Sequence, residues 1–165
     1  MKEYWQGLSN GVSGAGKITR FNADLFKTQF ACELKNFDVT DFIPRKDARK
    51  MDLFTQFGVV VANEAIADAN LDDESIDKRK VGVIWGSGIG GLETFEKEVI
   101  NFTEGNGTPR FNPFFIPKMI ADSASGQISI QHGYLGPNYV TVSACASANN
   151  AVIDAFNYIR LGRIN

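Results

Sequence analysis

Val140-Thr141-Val142-Ser143-Ala144-Cys145-Ala146-Ser147-Ala148-Asn149-Asn150 runs from a β-branched stretch through a small-residue turn into a helix. Downstream of Cys145, residues Ala148, Val152, Ala155, Phe156 and Ile159 follow at helical spacing and form one stripe. The pattern predicts Cys145 at a helix N-terminus, on the side that faces the core. Unpaired N–H groups at such an end favour negative charge. A thiolate is the nucleophilic form of cysteine, and helix N-termini favour it. The segment therefore suits a nucleophile that carries an acyl group. A small buried thiol at a strand end also serves simply as packing, so the local pattern leaves both readings open.

The whole chain sets the class. Its 165 residues, 44% of them hydrophobic and 22% charged, suffice for one domain with a sizeable core. That domain is expected to span 1–165. A net charge of −2 gives no general bias toward nucleic acid or an anionic membrane. Cys32 and Cys145 are the two cysteines, with no zinc-type Cys/His spacing, so no metal site is expected. The first residues, Met1-Lys2-Glu3-Tyr4-Trp5, contain no apolar signal region, and no later run is long enough for a membrane span. A reducing, cytoplasmic setting is expected.

Strand and helix patterns alternate. Residues 2–8 read as the end of a helix that Ser9-Asn10-Gly11 stops. Phe30, Cys32 and Leu34 alternate with Ala31, Glu33 and Lys35, which predicts a half-buried strand with Cys32 as an inward core thiol. Arg45-Lys46-Asp47-Ala48-Arg49-Lys50 is a basic run placed at the start of a long helix. Met51, Phe54, Phe57, Val61, Ala65 and Ala69 form its expected inner stripe, to about Asn70. Positive charge there opposes the helix macrodipole, which hints at a partner for the bases. A solvated charged turn is the plainer alternative. Residues 81–85 read as a buried strand, 92–102 as a helix, 122–132 as a small-residue helix and 139–143 as a strand. Alternating strands and helices predict a layered α/β fold.

Gly86-x-Gly88-x-x-Gly91, between a strand and a helix, also fits the dinucleotide-binding pattern. That pattern needs an acidic residue at the end of a second strand, and Glu104 lies instead in a loop sequence. A tight turn against another backbone is the structural alternative. His132 is the one histidine, 13 residues before Cys145 in a predicted helix. Its spacing gives no reason to pair it with the thiol, and a surface or packing role is expected.

Four motifs, in order, carry a family resemblance. They are Arg45-Lys46-x-x-Arg49-Lys50-Met51-Asp52, Gly86-Ser87-Gly88-Ile89-Gly90-Gly91, Asn112-Pro113-Phe114-Phe115-Ile116-Pro117, and Gly136-Pro137 followed by Val142-Ser143-Ala144-Cys145-Ala146-Ser147. From about Trp5 onward the chain resembles the β-ketoacyl-[acyl-carrier-protein] synthases, most closely the elongating synthase II type. The resemblance implies a thiolase-like layered α/β/α fold, built from two related halves in a homodimer. It implies an acyltransferase of fatty acid biosynthesis that performs a decarboxylating Claisen condensation. Cys145 would hold the acyl chain as a thioester, and its N–H would serve the oxyanion. Ile89 and Phe115 would line the acyl pocket, Phe115 from the partner subunit. Lys46, Arg49 and Lys50 would meet acyl carrier protein. No cofactor is implied beyond the phosphopantetheine on which substrates travel.

The resemblance is incomplete. The family's opening strand precedes the motif at Trp5, and its two catalytic histidines, its lysine and a second oxyanion donor belong to a C-terminal half that the sequence does not contain. Ser143 stands where many members carry Thr. A noncatalytic chain-length partner subunit is an alternative, which Cys145 opposes; a thiolase-fold acyltransferase of polyketide or other lipid synthesis is another. In a malonyl-dependent elongation assay, this chain by itself is expected to turn over no faster than its Cys145→Ala variant; clear turnover above that control would refute the expectation.

Overall fold

The computed structural model describes residues 2–164. The chain divides into two units, one ending at Asp38 and the other starting at Val39. In the first unit, helix α1 (Lys2–Ser9) ends where Gly11 takes a left-handed φ of 64°. Strands β1 (Gly16–Lys17) and β2 (Phe30–Ala31) pair antiparallel. Beyond β2, Glu33 accepts hydrogen bonds from the Thr19 N–H at 3.1 Å and the Thr19 hydroxyl at 2.7 Å.

The strand at Phe30 is much shorter than its alternation predicts, and its faces are reversed. Phe30, Cys32 and Leu34 are exposed, whereas Ala31 and Glu33 are half-buried. Cys32 is therefore not a core thiol. The Glu33 side chain lies beside Thr19 on this face, held by those hydrogen bonds.

The second unit contains α2 (Arg45–Ala48), α3 (Leu53–Asp68), β3 (Val83–Gly86), α4 (Leu92–Glu104), α5 (Phe115–Met119), α6 (Ser123–His132), β4 (Asn138–Thr141) and α7 (Ser147–Arg160). Strands β3 and β4 pair in parallel, Val83 with Asn138 through Gly86 with Thr141. Adjacent residues of β3 point to opposite faces. The Trp85 ring lies against Gly58 of α3, next to Ala124 of α6, while Gly86 meets Ala148 of α7. So α7 covers one face of the sheet, and α6 backed by α3 covers the other. The core of Ile43, Met51, Val59, Ile66, Val81, Ile128 and Tyr134 lies on the α3/α6 side.

The basic run and the long helix are separate elements. Asp52 breaks the predicted continuous helix because its carboxylate accepts from the Phe54 N–H at 3.2 Å and starts α3 anew. The four bases thus do not sit at the N-terminus of α3. Its inner face is also rotated from the predicted one. Thr55, Gly58, Val59 and Ile66 are buried, whereas Val61, Ala65 and Ala69 are exposed. Apolar residues surround α3 on most sides, so periodicity alone could not choose the face. Gly58 decides it by admitting the Trp85 ring.

Buried Asp52 serves a second helix as well. Its other carboxylate oxygen accepts from the Thr94 N–H at 3.1 Å and from the Thr94 hydroxyl in the first turn of α4. One side chain thereby fixes the starts of α3 and α4. Asp52→Ala removes both caps and leaves the buried Thr94 hydroxyl unsatisfied. A loss of roughly 2–4 kcal/mol is expected in urea unfolding, with Asp52→Asn losing less; an unchanged midpoint for Asp52→Ala would show that the caps are dispensable.

Candidate active site at the turn after β4

The thiol of Cys145 stands in a short turn, Ala144–Ala146, between β4 and α7. The turn is built by its flanking residues. Ser143 is extended in φ at −152°, and Ala144 is left-handed at φ 50°. An L residue with a Cβ takes that region at a cost of order 1 kcal/mol or more. The Ala146 N–H then donates to the Ser143 carbonyl at 3.0 Å, and α7 begins.

Ser147 closes the turn from the helix side. Its hydroxyl accepts from the Ser143 N–H at 2.9 Å and donates to the Ala144 carbonyl at 2.7 Å. The Thr141 hydroxyl of β4 donates to the Ser147 carbonyl at 2.8 Å. The Asn150 amide donates to the Ser143 hydroxyl at 2.6 Å. Below the turn, the Tyr139 hydroxyl donates to Asp154 at 3.0 Å and fixes α7 on β4. Burial and the Asp154 carboxylate push the Tyr139 hydroxyl up to about 12, so it stays a donor at neutral pH.

Cys145 is exposed, which corrects the expected core-facing stripe. Ser147 and Ala151 form the buried face of α7, and Val152, Phe156 and Ile159 lie outside. The left-handed turn at Ala144 sets the phase of the helix independently of the apolar period. A thiol on such a turn is open to a substrate, at the end of a helix whose N-terminus favours the charge of a thiolate or an oxyanion.

The glycine loop after β3 reaches the same place, because parallel strands end side by side. A Cβ on Gly86 would lie 2.5 Å from the Ala148 N and Cα, and one on Gly88 would lie 3.5 Å from the Ala144 carbonyl. The loop is thus packed against the Cys145 turn. Gly90, with φ 91°, and Gly91 lie against the backbone of residues 118–121, and the Gly91 N–H donates to the Met119 carbonyl at 2.8 Å. The protein's own backbone and Asp52 fill the cradle that a dinucleotide pyrophosphate would need. The glycines serve close approach.

The other expected site residues are distributed around this centre. Ile89 projects from the loop and is 71% exposed. Phe115 opens α5 and is half-buried in an aromatic stack, with ring centroids 6.4 Å from Phe95 and 5.8 Å from Phe111. Lys46 and Arg49 are exposed on or just after α2, and Lys50 pairs with Asp47 at 2.9 Å. That hydrogen bond holds the Asp47 carboxyl below its ordinary range. A groove lined by Phe42, Ile43, Lys50, Met51, Gln127 and Ile130 runs beside this helix.

His132 is committed elsewhere. Its Nδ1 lies 2.9 Å from Asp72, and its Nε2 lies 2.9 Å from the Asn63 side-chain oxygen. Burial opposes the charge of Asp72, but hydrogen bonds from His132 and Lys78 outweigh it and hold the carboxyl below its usual range. A packing role, not a surface one, is what His132 has.

The apolar pattern of the sequence gives no role to Ser147, Thr141 or Asp52. The Ser143/Ser147 pair bracketing Cys145, and Asp52 directly before an apolar helix, were the available signals.

Comparison with known proteins bears on the family and the fold. The family model described as "Beta-ketoacyl synthase, N-terminal domain" matches residues 1–165. The chain is 44% identical over 165 residues to the 3-oxoacyl-[acyl-carrier-protein] synthase 2 of Staphylococcus aureus, covering 98% of this chain and 40% of that protein. It therefore spans about two-fifths of the length of the curated relatives it matches. A crystal structure of a beta-ketoacyl synthase from Burkholderia phymatum superimposes with a TM-score of 0.82 at 25% identity, over 99% of this chain and 40% of that one. A ketosynthase in complex with its type II polyketide acyl-carrier protein, bound to the hexaketide, aligns with a TM-score of 0.73 at 25% identity, over 79% of this chain and 38% of that one. The fold is the thiolase-like α/β arrangement of the ketosynthases.

Gly86→Ala tests the contact that places the turn. Ala148 backbone cannot move aside as a flexible side chain would, so the variant is expected to lose roughly 2–3 kcal/mol in urea unfolding. A neutral effect would mean that α7 shifts freely over β3.

Proposed function

The chain belongs to the β-ketoacyl synthase family, and on that premise we propose that Cys145 is the acyl-carrying nucleophile of an elongating 3-oxoacyl-[acyl-carrier-protein] synthase. The observation that carries the reading is the exposed thiol on a left-handed turn at the N-terminus of α7. In the first half-reaction the Cys145 sulfur attacks the carbonyl of an acyl-phosphopantetheine thioester. The tetrahedral oxyanion forms beside the helix end, where N–H groups and the macrodipole favour its charge. Collapse expels the phosphopantetheine thiol, which takes up the proton, and leaves an acyl-Cys145 thioester. In the second, a malonyl thioester loses CO₂, and its carbanion attacks that thioester. The new C–C bond gives the 3-oxoacyl product and returns the Cys145 sulfur. This half-reaction calls for groups that stabilise the malonyl enolate, and His132 is engaged with Asp72 and Asn63.

Ile89 and Phe115 are assigned to the acyl pocket, Phe115 entering that of a partner subunit in a homodimer. Lys46, Arg49 and Lys50 are assigned to acyl carrier protein, whose acidic surface suits an exposed basic helix beside an apolar groove. Substrates arrive on phosphopantetheine, and no further cofactor, metal or nucleic acid is assigned. The described residues contain no helix long and apolar enough to cross a membrane. We place the reaction in the cytoplasm. An exposed Cys145 supports this enzyme over a noncatalytic chain-length partner.

The test is acyl transfer. An acyl-pantetheine thioester is expected to acylate Cys145 and spare Cys32, with the adduct located by mass spectrometry. Acylation of both cysteines at equal rates would overturn the nucleophile assignment. Lys46→Glu with Arg49→Glu is expected to slow acylation from acyl carrier protein about tenfold, the effect of reversing rim charges, and to leave acyl-pantetheine unaffected.

A further inference from the structure

We infer that Ser147 is a positioning residue, which holds the Cys145 turn in its strained, thiol-exposing conformation; the inference rests on Cys145 being the nucleophile. Ser147 is only 3% exposed, so its hydroxyl has little water to bond with. It spends its donor and one acceptor site on the two residues that precede the cysteine, the Ala144 carbonyl and the Ser143 N–H. Those residues carry the unusual backbone angles of the turn, φ 50° at Ala144 and φ −152° with ψ 47° at Ser143. A left-handed residue that is not glycine persists only where its surroundings over-determine it.

Two further contacts make Ser147 itself immobile. The Thr141 hydroxyl holds its carbonyl from β4. Gly86 packs against the Ser147–Ala148 peptide from β3, so closely that a Cβ there would lie 2.5 Å from the Ser147 carbonyl carbon. Both strands of the sheet thus grip one residue, and that residue grips the turn three and four positions upstream. Ser147 touches neither the thiol nor a reacting atom in this account. It acts through the backbone on either side of Cys145. Without its bonds, Ala144 relaxes toward the right-handed region, and Cys145 swings away from the end of α7.

The test compares two thiols in one molecule. Cys32 lies in the first unit, remote in sequence and exposed, and serves as the internal reference. The rates of iodoacetamide alkylation at Cys145 and Cys32 are read by mass spectrometry in the full chain, together with the thermal midpoint and the amide-to-α-proton coupling of Ala144, which reports φ. In Ser147→Ala the Cys145-to-Cys32 ratio is expected to fall roughly tenfold, the factor for loss of hydrogen bonds that select one backbone state, and the Ala144 coupling is expected to change. Thr141→Val is isosteric and strand-compatible, and it removes only the β4 grip. A smaller fall in the same direction is expected from it, and it supplies the answer if Ser147→Ala does not fold. A purely structural residue lowers the midpoint but leaves the ratio and the coupling in place. That result in a folded Ser147→Ala, or in Thr141→Val if the first variant is unfolded, overturns the inference. A wild-type chain in which Cys145 reacts no faster than Cys32, with the Ala144 coupling still lost in Ser147→Ala, strikes instead at the nucleophile reading.

Discussion

The missing side chain of Gly86 is the constraint from which the site follows. Strand β3 ends directly beneath the first residues of α7, at a separation that leaves no room for a Cβ. Only with a glycine there does the helix descend onto the ends of both strands. The next residues of the loop then reach the Ala144 carbonyl, and Ile89, which follows Gly88, is left exposed. Parallel pairing does the rest, since it brings the ends of β3 and β4 side by side although the strands are more than fifty residues apart in sequence. Sites at the carboxyl ends of parallel strands arise in this way.

Rigidity beneath the turn comes from polar groups as much as from apolar burial. Asp52 joins the starts of α3 and α4, and α4 in turn carries the glycine loop at its N-terminus. Thr141 and Tyr139 bind α7 to β4 through two hydroxyls, and the Ser147 hydroxyl ties α7 to the turn before it. Each of these bonds is worth only about 1 kcal/mol. Their combined effect is directional, which apolar contact cannot supply. A left-handed alanine needs that kind of support, and the exposed thiol of Cys145 stands in the geometry it creates.

The alternation of strands and helices, and the place of Cys145 between a strand and a helix, were legible in the sequence. So were α4, α6 and the two core strands, to within a few residues. What failed was the assignment of faces. On α3 nearly every side is apolar, so the spacing fitted several faces, and a glycine rather than a hydrophobe marked the true one. At Phe30 a clean alternation points the wrong way: Glu33 stays on the half-buried face, bonded to Thr19, and the apolar residues lie outside. The basic run does not lead into one long helix, because Asp52 caps α3 afresh. In each case a polar or glycine residue overrode a correct apolar period, and such residues are invisible to a hydrophobicity count.

Helix α7 shows the same logic with the opposite outcome. Its apolar stripe is real, yet the sheet takes the small and polar face of Ser147, Ala151 and Asp154. Val152, Ile153, Phe156 and Ile159 are left outside, each more than half exposed. A helix that only had to cover a sheet would place these four residues inward. Small residues inward permit the close approach at Gly86, and that approach fixes Cys145. The position of Cys145 thus requires that the large side chains face away from this sheet. The apolar stripe of α7 therefore does not mark the core of this chain: the helix meets the sheet with its small residues, and the left-handed turn at Ala144 sets that phase.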